Sequence, residues 1–266
     1  MIKVIKLLIH PKKFLLKLKF RYVIRKKKLA NSKRNMLWSN QDYILANVQA
    51  AQSLTLNEFS DIPEAEHQIR RFGNIKKVID EVNKRQIPGD IIEFGTWQGM
   101  SLLLFNLALE ENSWNRTLIG IDSFEGLPED SNVWKKRAFS NTSLDTARRN
   151  ISSRIKHNQE FHLIKGWFDD PRVAQEMESI VSQISVVHFD ADLGSSTKSA
   201  LDIISKFLPG RTQPIYFLFD DWNCHPDEVP DAFYTWLHSN PIDLGIKAEK
   251  ISSTRFTRYY RVTVGN

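Results

Sequence analysis

The sequence has one cysteine, Cys224, in 266 residues. That excludes a disulfide framework and any metal site built on several thiolates, and it fits a reducing compartment. No apolar run approaches the roughly 18 residues that a membrane-spanning helix needs. There is no internal repeat and no long linker. Apolar residues make up 41% and charged residues 26%, a globular balance that excludes disorder, collagen and fibrous repeats. The length suits one sizeable domain, or one domain with an appendage. The most informative lack is of acid. Residues 1–35 contain no Asp or Glu but 13 Lys and Arg, while the other 231 residues hold 24 basic against 31 acidic, a net of −7. An acidic globule therefore carries a basic arm, and the two parts need separate explanations.

The arm runs basic, apolar, basic, with Pro11 as a break. Leu15, Leu18, Tyr22 and Leu29 fall close to one helical face, with Lys12, Lys19 and Lys26 elsewhere. Lys17, Lys19 and Arg21 interrupt what would be the core of a secretory signal, and no small-residue cleavage pattern follows. Two readings stand level: a basic amphipathic segment lying on an anionic membrane surface, and a solvated arm. Nucleic acid is not an expected partner. The arm has no base-reading motif, and the acidic globule would repel phosphate.

Residues 36–87 read as a helical extension. Ile69, Phe72, Ile75, Val78, Ile79 and Val82 recur at helical spacing until Pro88-Gly89 stops them. Beyond residue 88 short apolar runs alternate with helical stretches. The runs are Asp90–Phe94, Thr117–Ile121, Phe161–Ile164, Val186–Phe189 and Ile215–Phe219. The helices are Met100–Glu111, Leu144–Lys156, Pro171–Gln183, Ser195–Leu208 and Ala232–Leu237. The alternation predicts an α/β fold of the doubly wound, Rossmann-like kind: a mostly parallel sheet with helices on both faces. Ile246–Ile251 and Tyr259–Val264 predict a terminal antiparallel hairpin. Residues 128–143 are irregular, polar and aromatic, as a lid would be.

Ligands of such a sheet bind beyond the carboxyl ends of the strands, so each strand exit is a place to look for chemistry. After the first run, Glu93 is followed by Gly95 and Gly99 in a turn into a helix, whose free N–H groups suit a negative group. After the second comes Asp122, 27 residues past Gly95. A carboxylate there suits a ribose diol. After the third, Gly166 permits a turn, and Trp167 and Phe168 suit either an adenine or the core. After the fourth and fifth come Asp190 with Asp192, and Asp220 with Asp221. Four converging carboxylates would repel one another and raise their pKa values unless a hard divalent cation, Mg²⁺ or Ca²⁺, sits among them. Helix capping by Asp192 and Asp221 is the bland alternative, and coupled carboxylates without metal a further one. His188 reads as a core residue, and His225 as a loop residue or an active-site base.

The runs PGDIIEFGTWQGMS, GIDSFEGLPE, HLIKGWFDD, HFDADLGSST and FDDW stand in order over about residues 60–240. In them the chain resembles the macrocin O-methyltransferase family, class I S-adenosylmethionine-dependent enzymes that methylate sugar hydroxyls with a divalent metal. The resemblance implies that Glu93, Gly95, Thr96, Gly99 and Ser101 line the methionine end of S-adenosylmethionine. It implies Asp122 at the ribose with Ser123 and Phe124 beside it, and Gly166, Trp167 and Phe168 bordering the adenine. Asp190, Asp220 and Asp221 would hold the metal, Mg²⁺ by preference, with Asp190, Asp192 and His225 as the catalytic group. Two features depart from the family. Gly194 stands where an aromatic residue usually flanks the acceptor, and the arm lies outside the resemblance.

The expected function is Mg²⁺-dependent methyl transfer to a sugar hydroxyl of a glycan, glycolipid or glycosylated metabolite. The rivals are a catechol-type enzyme acting on a phenolic diol and a non-catalytic S-adenosylmethionine-binding protein at a membrane surface. A cytoplasmic place, peripheral at the inner face of the membrane, and a homo-oligomer are compatible with this reading. The expected division is an arm at 1–35, a helical extension at 36–87 and a methyltransferase domain at 88–266.

Overall fold

The computed structural model describes residues 45, 48, 63–112, 116–131, 133–155, 158–223, 228–239, 244–253 and 257–265. The basic arm, Cys224 and His225 lie outside the described residues. The chain divides into two compact units, 1–74 and 75–266. In the first, Val48, Gln68, Ile69, Phe72 and Asn74 are buried. Every candidate site residue belongs to the second.

The described helices are α1 (Pro63–Lys84), α2 (Met100–Asn112), α3 (Leu144–Ser152), α4 (Pro171–Ile180), α5 (Gly194–Ser205) and α6 (Glu228–Ser239). The strands are β1 (Asp90–Phe94), β2 (Leu118–Asp122), β3 (Phe161–Lys165), β4 (Ile184–Phe189), β5 (Ile215–Phe219), β6 (Lys247–Ser253) and β7 (Arg258–Thr263). Every strand and helix expected beyond residue 88 forms, with shifted ends; of the helical extension expected over 36–87, residues 36–44, 46, 47 and 49–62 lie outside the described residues. The α4 helix stops at Ile180 because Val181 turns extended, at φ −105° and ψ 119°. That releases the chain early enough for β4 to begin at Ile184 rather than Val186. At its start Pro171 takes the first turn, and Asp170 caps by accepting from the Arg172 N–H.

The seven strands form one sheet in the order β3-β2-β1-β4-β5-β7-β6. The first five run parallel, β7 is antiparallel to β5, and β6 is antiparallel to β7. Strands β1, β4 and β5 are almost wholly buried, which is why they read as unbroken apolar runs rather than alternating ones. The order of the strands reverses between β1 and β4, so a crevice opens at their carboxyl ends.

Side-chain alternation sorts the residues beside that crevice onto two faces. On one face Phe94, Phe189 and Phe219 stack across three strands, with ring centroids 5.8 and 4.6 Å apart. They join the main core with residues of α4, α5 and α6, among them Met177, Leu201, Phe233 and Trp236. On the other face lie Glu93 and its cross-strand partner His188, with the α2 side chain Phe105 edge-on to His188 at 5.8 Å.

The opposite edge of the sheet is fixed by two recessed arginines. Arg116 donates to the carbonyls of Gly89 at 2.7 Å and Ile87 at 2.8 Å, and Arg211 to that of Ile184 at 2.7 Å. Burial lowers the pKa of both, yet these carbonyls are satisfied by side chains just where the strands begin. Among the described residues no helix is long and apolar enough to cross a membrane.

Candidate active site

The exits of β1 and β4 touch. Gly95 has φ +95°, and a Cβ there would stand 1.8 Å from the Asp190 carbonyl oxygen. Only glycine fits such a crossing without pushing the strands apart. The ladder continues past the strand ends: the Asp190 N–H donates to the Phe94 carbonyl and the Asp220 N–H to the Phe189 carbonyl, both at 2.9 Å. Asp190 and Asp220 are thus each the first residue beyond neighbouring strands. Strand pairing sets Asp190 and Asp220 side by side.

Asp122 ends β2 and reaches back to the β1 exit. Its Oδ2 accepts the Trp97 N–H at 2.7 Å and its Oδ1 the Phe124 N–H at 2.6 Å. Burial pushes its pKa up, the Phe124, Trp97 and Thr96 N–H groups pull it down, and Asp190 pushes it up. A carboxylate has about four acceptor positions, so capacity for a ribose hydroxyl remains. Ser123 is committed to its own turn, accepting from the Glu125 N–H at 3.1 Å. Phe124 is buried at φ +57°.

Thr96 is buried over Gly120, where a Cβ would come within 2.5 Å of the Thr96 hydroxyl. Gly99 closes the turn by donating to the Thr96 carbonyl at 2.7 Å, and Ser101 is buried in the first turn of α2. The Gly166 N–H donates to the Asp122 carbonyl at 2.9 Å, which joins the β2 and β3 exits. Trp167 is half-buried there. Phe168 is half-buried with its ring edge-on to Phe94 at 5.2 Å, so its aromatic face serves the core as well as the crevice.

Asp192 and Asp221 share φ +57°, a left-handed conformation that costs energy in a non-glycine residue. Neither stands at a helix cap. Leu193 occupies the cap position of α5 with no capping side chain, and α6 begins at Glu228, well past Asp221. A Cβ at Gly194 would stand 2.6 Å from the Glu228 carbonyl oxygen. The start of α6 occupies the space an aromatic side chain would need.

His188 is the residue whose importance the sequence understated. It is 2% exposed, between Glu93 at 1% and Asp220 at 3%. Its Nδ1 lies 3.0 Å from Glu93 Oε1 and its Nε2 3.5 Å from Asp220 Oδ2. Burial alone would lower its pKa. The Asp220 and Glu93 contacts, with the charges of Asp220 and Asp190, outweigh burial and raise it to about 10. Glu93, His188 and Asp190 lie close enough for one atom of each to share a cation. Of these groups the carboxylates are the better donors for a hard ion.

Residues 123–143 are laced down. The Leu127 N–H donates to the Ala138 carbonyl and the Arg137 N–H to the Leu127 carbonyl, both at 2.9 Å. Phe139 packs on Trp97 and Trp134, with ring centroids 5.9 and 4.9 Å away. Ser195 at the start of α5 donates to Glu129 at 2.5 Å. The loop thus joins the β1 turn to the β4 exit.

The comparisons with known proteins agree with this geometry. The family description macrocin-O-methyltransferase (TylF) matches residues 13–249. Demethyldecarbamoylnovobiocin O-methyltransferase of Streptomyces niveus is 25% identical over 184 residues, covering 64% of this chain and 68% of its own. Mycinamicin III 3''-O-methyltransferase of Micromonospora griseorubida is 23% identical over 182 residues, covering 62% and 68%. The fold matches that of the O-methyltransferase NovP with a TM-score of 0.58 at 23% identity, over 73% of this chain and 80% of that one. It matches the calicheamicin methyltransferase CalS11 with a TM-score of 0.55 at 19% identity, over 86% and 93%. With the family match spanning nearly the whole chain and the strand exits arranged as above, this protein belongs to the macrocin O-methyltransferase family and is an S-adenosylmethionine-dependent O-methyltransferase.

Proposed function

We propose that the protein transfers the methyl group of S-adenosylmethionine to a sugar hydroxyl, with Mg²⁺ held by Asp190, Asp220 and Asp221. The observation that supports this reading is that strand pairing sets Asp190 and Asp220 at the ends of neighbouring strands, with Asp221 next in the chain and the Gly95 turn against Asp190. The donor set is all oxygen and negative beyond what one imidazolium offsets, which suits a hard divalent cation. Such an ion, when bound, orients a diol and lowers the pKa of one of its hydroxyls.

The chain's own residues do the rest. Glu93, Gly95, Thr96, Gly99 and Ser101 hold the methionine end, Asp122 the ribose, and Gly166 and Trp167 the adenine side. Asp192, turned out of the chain path at φ +57°, takes the hydroxyl proton, with His225 as the second candidate base. Holding the oxygen in line with the methyl group supplies a large part of the rate, and the loop 123–143 shields it from water. A relative from Streptomyces olivaceus, 24% identical over 199 residues, is named as a 4'-O-methyltransferase of a rhamnosyl-bearing tetracenomycin. That name favours a sugar over a catechol as the acceptor here.

The test is transfer of labelled methyl to panels of glycosides and catechols, with Mg²⁺ or with EDTA. Label on glycosides, abolished by EDTA, is the expected result. Label on catechols alone would move the assignment to a phenolic diol, and no turnover with any acceptor would favour a binding protein.

A further inference from the structure

We infer that His188 is a positioning residue that fixes two functional carboxylates at once, Glu93 on the cofactor side and Asp220 on the metal side. The inference rests on the proposed function and deepens it.

The placement follows from the sheet. Glu93 and His188 are directly opposed on β1 and β4, and His188 is opposed to Leu218 on β5. Asp220 is two residues beyond Leu218, so alternation returns its side chain to the face His188 occupies. The imidazole therefore spans the reversal point of the sheet, 3.0 Å from one carboxylate and 3.5 Å from the other. Phe105 closes over the ring from α2, and all three polar groups are buried.

A carboxylate that binds a ligand works only when its oxygens face the ligand. Groups behind it set that orientation and matter about as much as the ligands themselves. Glu93 lies two residues before the glycine that crosses Asp190, and Asp220 is the first residue past β5. Each nitrogen of one ring faces one of them, Nδ1 at hydrogen-bond distance from Glu93 Oε1 and Nε2 as an ion pair with Asp220 Oδ2.

The two nitrogens can be tested apart. An asparagine amide reaches about where Nδ1 sits, and a glutamine amide about where Nε2 sits. His188→Asn then keeps the Glu93 contact and His188→Gln the Asp220 contact. Binding of S-adenosylhomocysteine and of Mg²⁺ is read by calorimetry, with unfolding midpoints as the check on folding. The expected result is a split. His188→Asn binds Mg²⁺ about 10–100-fold more weakly and keeps its cofactor affinity. His188→Gln weakens cofactor binding, on the order of tenfold, and keeps Mg²⁺. A purely structural role would lower the unfolding midpoint of both variants without separating the two affinities, and that result overturns the inference, as do two folded variants with wild-type affinities. Where only one variant folds, it decides the matter by whether it loses the predicted affinity alone. If the wild-type protein does not bind Mg²⁺ at all, the metal reading fails by itself, and the inference then stands or falls on the cofactor affinity of His188→Gln against His188→Asn.

Discussion

Asp122 accepts the Trp97 and Phe124 N–H groups, so its carboxylate ties the β1 turn to the β2 exit. Asp122→Ala is expected to weaken S-adenosylhomocysteine binding by about 1.5–3 kcal/mol for each charge-assisted bond lost. Unchanged affinity in calorimetry would reduce Asp122 to a turn residue. His188 carries a second expectation. Its folded pKa of about 10 lies above its ordinary value of 6.5. The stability it contributes is therefore whole below about pH 6.5 and is lost as the pH climbs toward 10. The urea midpoint of the metal-free protein should fall between pH 7 and 10, and less steeply in His188→Gln. An equal slope in the two proteins would show that the ring does not carry the charge. Asp122, Asp190 and Asp220 stand out in the sequence because each comes where an apolar run ends. His188 lies inside a run, and its role depends on which residues oppose it across the sheet. No single strand shows that register, although a histidine between two apolar neighbours in a buried strand was a signal that it needed a charged partner.

The elements divide the work by sheet edge. The carboxyl edge carries Asp122, Asp190 and Asp220, while the amino edge carries Arg116 and its carbonyl partners. Arg116→Ala should lower stability by roughly 1.5–3 kcal/mol, because it removes hydrogen bonds to a charged donor, and should leave kcat and cofactor affinity alone. Thermal unfolding beside a transfer assay checks this, and a fall in kcat at unchanged stability would contradict it. Strand and helix types were readable from periodicity, whereas their ends were set by local conformations that periodicity does not encode. Val181 is one example, turning extended and starting β4 early. Gly194 is another: its contact with the Glu228 carbonyl joins the starts of α5 and α6, and a departure from the family pattern becomes a packing requirement.

Over the whole molecule the charge is unevenly spread. The basic arm has 13 Lys and Arg with no acid, against a net −7 in the rest. An anionic membrane offers about 1 kcal/mol per basic residue near its surface, with insertion of apolar side chains added. Full-length protein is expected to bind vesicles containing anionic lipid and to release at high salt. Deleting residues 1–35 should abolish binding and leave activity on a soluble acceptor nearly intact. Indifference to such vesicles at low salt would rule out the membrane role. The central claim is that cofactor and metal occupy separable parts of one crevice, Asp122 serving the first and Asp190 and Asp220 the second. The most direct measurement is calorimetry of S-adenosylhomocysteine on Asp220→Asn, run beside its Mg²⁺-activated methyl transfer. The account predicts transfer nearly abolished with cofactor affinity retained. Cofactor affinity lost, or transfer retained at the wild-type rate, would contradict it.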